Sequence, residues 1–299
     1  MKISTLYDIP CNIKNKTISN YIYKINKVLL NIFYPILIRK QYAIDSSSNT
    51  IVSLTSFPER INTVWLTIQT IMHQTRKPRM IILWLAEEQF PNKEKDLPFK
   101  LIELKKYGLT IKFCDNLYPH KKYFYTMLEN PESNVITIDD DVLYPEYLIE
   151  RLEETSLRFP KVVCCTWAHE ITMTNGRINQ YDSWKHGVES DYKPSMKLMP
   201  VGCGAVLYPP HSLYKDAFQK EKIKDLCLMT DDLWLKAMSV MNHTQAVRIP
   251  QKAKIYMTII KTQKVGLHYD NVGNNKNDIA LKKIIERYKD IETIIGEEK

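Results

Sequence analysis

Val135-Ile136-Thr137-Ile138-Asp139-Asp140-Asp141-Val142-Leu143-Tyr144-Pro145 carries more information than any other stretch of this chain. Four apolar or β-branched residues predict a buried strand, and three consecutive carboxylates stand where that strand ends. Acids at the carboxyl end of a parallel strand put negative charge where open α/β sheets bind ligands. Side-chain alternation predicts Asp139 and Asp141 on one side and Asp140 on the other. Two carboxylates on one side suit a hard divalent cation, which can in turn hold a diphosphate. A solvated acidic turn is the plainer reading, and mutual repulsion of three packed acids weighs against it.

The segments around this strand repeat one pattern. Ile51–Thr55 predicts a first strand, followed by the loop Ser56-Phe57-Pro58-Glu59-Arg60 and a helix from Ile61 to His73. Met80–Leu85 and Thr110–Phe113 are further strands, with helices at Leu101–Tyr107 and Tyr123–Leu128 between and after them. This alternation predicts an α/β fold, a Rossmann-type, mostly parallel sheet with helices on both faces. Downstream, Tyr147–Phe159 reads as a helix and Lys161–Trp167 as a strand. Residues 169–200 read as a long loop or a small antiparallel insertion, rich in Tyr181, Trp184 and Tyr192. Pro200–Tyr208 is a glycine-marked strand, Asp231 opens a helix that Thr230 or Asp231 can cap, and Asp278–Tyr288 is a last helix.

Composition narrows the chemistry. With 299 residues the chain can be one large α/β domain with additions, or two smaller domains. It has only eight glycines, with no G-x-G-x-x-G and no G-x-x-x-x-G-K-[ST], so a nucleotide would have to be held through metal and side chains. Residues 1–40 carry seven basic side chains against Asp8 alone, a net +6 of the total +8. The body is therefore near neutral and lacks the basic stripe of a nucleic-acid binder. The six cysteines form no C-x-x-C and read as reduced core residues of an intracellular protein.

The basic arm has its own pattern. Ile18, Ile22, Ile25, Val28, Leu29, Ile32 and Phe33 recur at helical spacing across residues 17–43. The apolar core there is too short to span a bilayer. Two readings stand: a helix lying in an anionic membrane interface, or one packed on the protein's own body. Asp45–Asn49 is a polar linker, giving an extension over 1–48 and a catalytic body over 49–299. The body divides into a donor half (49–145), an acceptor half (146–275) and a C-terminal helix (276–299).

The order of these parts resembles a bacterial GT-A-fold glycosyltransferase. The likeness is to family-2-like enzymes of capsule and O-antigen clusters and runs from about Ile51 to Asp278. That resemblance implies a GT-A-like fold and transfer of a sugar from a nucleotide-sugar donor to a saccharide, lipid-linked acceptor, with Mn²⁺ or Mg²⁺. It places the work in the cytoplasm, peripheral to the inner membrane face, with no nucleic-acid partner. Asp139-Asp140-Asp141 matches the D-x-D motif, with Asp141 a direct metal ligand and Asp139 on metal or ribose. Thr55, Ser56 and Arg60 fall where the nucleoside is held, and Lys121 or Lys122 where a diphosphate could be reached. Asp231-Asp232 matches the acidic pair that supplies the general base of inverting members, more often Glu-Asp, which leaves open which aspartate is the base. His268 matches a C-terminal metal or diphosphate ligand, and Asn275, Asn277 and Asp278 a loop closing over donor. Trp167, Tyr181 and Trp184 are either a sugar platform or core, and Gly202 and Gly204 either a close approach to acceptor or a bulge.

Two rival classes remain. A haloacid-dehalogenase-type phosphatase also uses Asp-x-Asp with Mg²⁺, but it needs a later Gly-Asp-x-x-x-Asp that this chain lacks. A non-enzymatic carbohydrate- or metal-binding module would be expected to be all-β, against the helix-strand alternation found here.

Overall fold

The computed structural model describes residues 2–189, 192–251, 256–260, 262 and 276–298. The chain opens with helices α1 (Ile3–Cys11) and α2 (Lys16–Leu37). It continues as β1 (Thr50–Thr55), α3 (Val64–Met72), β2 (Met80–Ala86), α4 (Phe99–Glu103), β3 (Leu109–Cys114), α5 (Phe124–Glu129) and β4 (Asn134–Thr137). There follow β5 (Val142–Leu143), α6 (Leu148–Arg158), β6 (Val163–Cys165), β7 (Ala168–Glu170), β8 (Met173–Thr174), β9 (Arg177–Ile178), β10 (Leu198–Pro200) and β11 (Val206–Tyr208). The last elements are α7 (Lys220–Leu226), α8 (Asp231–Met241), β12 (Ala246–Arg248), β13 (Met257–Thr258), α9 (Lys276–Arg287) and α10 (Asp290–Gly296).

Seven strands form the central sheet in the order β12-β6-β11-β4-β1-β2-β3. β1 pairs in parallel with β2 and β4, β2 with β3, and β12 with β6; β11 alone runs antiparallel, between β4 and β6. The expected mostly parallel α/β architecture is therefore present. It follows from the sequence: β1, β2 and β4 are apolar runs buried on both faces, which need helices above and below. The insertion reading of residues 169–200 also holds, with β8–β9 closed at Asn175-Gly176 (φ 50° and 76°), both in the left-handed region a tight hairpin turn needs.

Several boundaries differ from expectation. The helix after the first loop begins at Val64, not Ile61, because residues 58–63 form a turn. The Pro200–Tyr208 strand is split, with a 3₁₀ turn at Gly202–Gly204 and pairing only from Val206. α8 starts at Asp231 as expected, but the Thr230 side chain makes no capping bond.

The amphipathic arm is a 22-residue helix whose N-terminus is capped by Asn15, which accepts from the Thr17 and Ile18 N–H groups. Its inner side joins the main core: Leu30 and Tyr34 lie in one apolar cluster with Ile3, Tyr7, Val52 and Ile136. The buried Tyr7 hydroxyl donates to the Leu143 carbonyl at 2.7 Å and accepts from the Met257 N–H, so α1 clamps β5 to β13. No helix among the described residues is long and apolar enough to cross a membrane.

Candidate active site

β1 and β4 are neighbours in register, Ser53 opposite Thr137, so three residues further on Ser56 comes level with Asp140. The Ser56 hydroxyl accordingly donates to Asp140 Oδ2 at 2.6 Å. Pairing of β4 stops at Thr137, and the chain turns at Asp140-Asp141 into β5. That turn overrides the strict alternation expected from an extended chain. Asp140 and Asp141 share one cation, Arg60, whose Nη1 lies 2.7 Å from Asp140 Oδ1 and 3.3 Å from Asp141 Oδ2. Asp139 faces a different one, Lys122, at 3.0 Å.

Other groups fix the triplet. The Tyr144 hydroxyl accepts the Asp139 N–H at 3.0 Å, Thr67 Oγ1 donates to the Asp140 carbonyl, and Thr262 Oγ1 donates to Asp141 Oδ2 at 3.1 Å. Burial pushes the Asp141 carboxyl up to about 6 against the pull of Arg60, and raises Asp140 in the same way. Tyr144, Thr67 and Thr262 were not singled out from the sequence. Only Tyr144, five residues past Asp139, lay close enough in the chain to be suspected.

The second acidic pair meets the first through Lys122. Its ammonium, 6% exposed, lies 2.9 Å from Asp231 and 3.0 Å from Asp139, tying the N-terminus of α8 to the tip of β4. Burial opposes its charge, but Asp139, Asp231 and Asp232 outweigh that and hold its pKa well above the ordinary lysine value. Asp232 accepts the Gly202 N–H at 3.0 Å. Burial, then the neighbouring Asp231, push its carboxyl up to about 7, with Lys122 pulling the other way. His120 braces this region from behind: it is buried, hydrogen-bonded to the Cys227 carbonyl at 2.8 Å, and driven down to about 4 by desolvation.

These groups line one cleft of about 840 Å³, of a size suited to a small ligand. Thr55, Ser56, Arg60, Lys121, Lys122, Asp139, Asp140, Asp141, Asp231 and Asp232 all border it. The Thr55 hydroxyl, however, is used within the sheet, donating to the Trp84 carbonyl. Lys121 is turned to Asn116 Oδ1 at 2.7 Å. Trp167 and Tyr181 line the cleft, while Trp184 is 4% exposed with its indole N–H on the Asn179 carbonyl, a core residue. Asp278 accepts the Tyr181 N–H at 2.8 Å and so orders that wall, and Asn277 borders the cleft. His268 and Asn275 lie outside the described residues.

The two glycines sit tightly against the chain's own polar groups. A Cβ on Gly202 would fall 2.7 Å from Lys122 Nζ and 2.8 Å from Asp232 Oδ1. One on Gly204 would fall 2.3 Å from Thr166 Oγ1. They admit the chain's own polar groups to close approach.

The donor set suits a hard cation. Four ion pairs share only two cations, Arg60 and Lys122, leaving surplus negative charge among largely buried oxygens. Asp139, with 31% of its side chain exposed, is open to the cleft. Among the described residues no three His, Cys, Asp or Glu side chains are grouped to hold a metal alone. A Mg²⁺-type site held by one or two carboxylates and completed by substrate phosphate and water is consistent with that.

The sequence matches no protein-family model and no curated protein. Solved structures do overlay on it. A mannosyltransferase from Pyrobaculum calidifontis, in complex with GDP-Man and Mn²⁺, is 13% identical with a TM-score of 0.42, over 76% of this chain and 63% of that one. The inositol-1-phosphate CTP transferase from T. maritima is 10% identical, TM-score 0.41, over 79% and 96%. S. aureus TarS 1-349 is 11% identical, TM-score 0.39, over 69% and 59%. The chain thus spans less than two thirds of the mannosyltransferase and of TarS 1-349.

Proposed function

We propose that this protein is a metal-dependent glycosyltransferase. It moves a sugar from a nucleotide-sugar to a saccharide acceptor, lipid-linked, in bacterial surface polysaccharide synthesis, with inversion. One observation carries the reading: Lys122 joins a strand-end acidic triplet to a helix-start aspartate pair across a single cleft. A donor diphosphate calls for the first group and an acceptor hydroxyl for the second.

Asp139 and Asp141 would hold Mn²⁺ or Mg²⁺, and the bound cation supplies neutralisation of charge on the departing nucleoside diphosphate. Ser56 and Arg60 keep Asp140 turned inward, so the triplet's shape does not depend on donor. Asp232 is the general base. Its pKa near 7 suits a carboxylate that must take a proton from a hydroxyl attacking the anomeric carbon at neutral pH. Asp231 is paired with Lys122, which favours Asp232 for this role. Trp167 and Tyr181 offer the sugar an apolar wall.

Calorimetric titration with UDP and GDP, with and without Mn²⁺, tests the donor side. Metal-dependent binding of either is expected, and binding of neither by folded protein refutes this donor class. On the acceptor side, Asp141→Ala and Asp232→Ala should each abolish transfer, and only the first should weaken nucleotide binding.

A further inference from the structure

The outer face of α2 is unpartnered. Ile18, Ile25, Leu29, Ile32, Phe33 and Ile36 are between 38% and 73% exposed. At 100° per residue they fall within one sector of the helix, opposite the side that buries Leu30 and Tyr34. Monomeric soluble proteins seldom present an apolar stripe of this length to water.

Charge identifies the occupant. No Asp or Glu occurs between Asp8 and Asp45, and this interval contains Lys14, Lys16, Lys24, Lys27, Arg39 and Lys40. Lys27 is held by Thr258 and Lys40 by Glu103, while Lys14, Lys16 and Lys24 are exposed. A second copy laid on this stripe would set two strongly basic arms against each other. An apolar stripe with Lys24 along one side, on an arm that carries exposed Lys14 and Lys16 and no acid, is complementary to anionic headgroups over acyl chains. We infer that the outer face of α2 is a docking surface for an anionic lipid bilayer, with the helix lying in the interface plane.

The position of the helix ties this surface to the cleft. On its inner side Lys27 donates to Thr258 Oγ1 at 2.6 Å, and Asn31 Oδ1 accepts the Ile260 N–H at 2.8 Å. Thr258 borders the cleft, the Ile259 N–H donates to the Asp141 carbonyl at 2.7 Å, and Ile260 is itself exposed beside the stripe. α2 and the short strand β13 are thus all that lies between the bilayer and the acidic triplet. Docking brings the cleft to the membrane, and this explains why a lipid-linked acceptor would be used; that last step alone rests on the glycosyltransferase reading.

The test is co-sedimentation of the full chain with phosphatidylglycerol–phosphatidylcholine vesicles and with phosphatidylcholine vesicles, at low and high salt. Binding at least tenfold stronger to the anionic vesicles, weakened by salt, is expected. Ile25→Glu/Ile32→Glu, which alters only exposed positions, should lose it at least tenfold while keeping its melting temperature and its nucleotide binding. Equal sedimentation of wild type and variant, or none with folded wild type, overturns the inference. So does a dimer that the same substitutions dissociate, which would assign the face to a second copy. Loss of vesicle binding with intact nucleotide binding separates this inference from the proposed chemistry, because neither readout needs turnover.

Discussion

Replacing Asp232 by Asn separates what the cleft needs for stability from what it needs for chemistry. In the fold Asp232 is half-buried beside Asp231, and its carboxyl is pushed from an ordinary 3.8 up to about 7. Above pH 7 the folded protein must therefore hold a charge that costs about 3 pKa units, or about 4 kcal/mol. The raised value means the folded state binds the extra proton between pH 4 and 7. This group's stabilisation is thus complete below pH 4 and lost as pH rises to 7. Asn keeps the shape and an oxygen to accept the Gly202 N–H. Asp232→Asn should gain up to about 4 kcal/mol at pH 8, a melting rise of roughly 5–10 °C at this size, and little at pH 4.5. Transfer should fall by at least about 10²-fold, since the proposed general base is gone. Thermal melts at the two pH values, with a transfer assay at pH 8, provide the measurement. A lower melting temperature at pH 8, or the same shift at both pH values, would refute the assignment of a costly charge at this position. A variant that still transfers at full rate would remove Asp232 from the chemistry.

The remaining predictions concern neighbouring groups. Lys236, one turn along α8, is 5% exposed, its Nζ has no hydrogen-bond partner among the described residues, and burial lowers it to about 7. Its penalty is full below pH 7 and relieved as pH rises to 10.5, so Lys236→Met should stabilise by about 2–4 kcal/mol at pH 7 and by less at pH 9.5; paired melts check this. Lys122→Met leaves Asp139 and Asp231 without their common cation and should cost about 3–5 kcal/mol in denaturant unfolding, together with transfer. Gly202→Ala drives a methyl onto Lys122 Nζ and Asp232, and transfer kinetics should show kcat falling at least tenfold with melting little changed. Trp184→Ala should cost about 3–5 kcal/mol as a core deletion, whereas Trp167→Ala should act on acceptor KM.

The legible part of this protein was the part governed by local periodicity. Buried strands β1, β2 and β4 announce themselves as apolar runs, and their alternation with helices fixes a parallel sheet whose carboxyl edge carries the acids. α8 and its aspartates were visible for the same reason. The short edge strand β12 was not, since Ala246-Val247-Arg248 is too brief to carry a period and is defined by its parallel pairing with β6. α1 was also missed. It contains a proline and lacks a side-chain cap, and what holds it is distant: Ile3 and Ser4 N–H groups on the Glu146 carboxylate.

Within the site, residue types were readable but pairings were not, and the triplet shows why. Extended-chain alternation puts Asp139 with Asp141. The chain instead turns at Asp140, and a turn is free to sort three adjacent carboxylates by whichever cation the tertiary fold delivers. Arg60 arrives from the loop after β1 and takes Asp140 and Asp141; Lys122 arrives before α5 and takes Asp139, because its other partner, Asp231, waits across the cleft. Two cations cannot neutralise five buried or half-buried aspartates, and the imbalance shows as raised pKa values at Asp140, Asp141 and, to about 7, Asp232. Any added positive charge near Asp139 would act through the same network. It would draw on the interaction that Lys122 divides between Asp139 and Asp231, leaving more of the ammonium to the α8 pair. Asp139 also acts on Asp232 directly, raising its carboxyl, so the two acidic groups share one electrostatic environment.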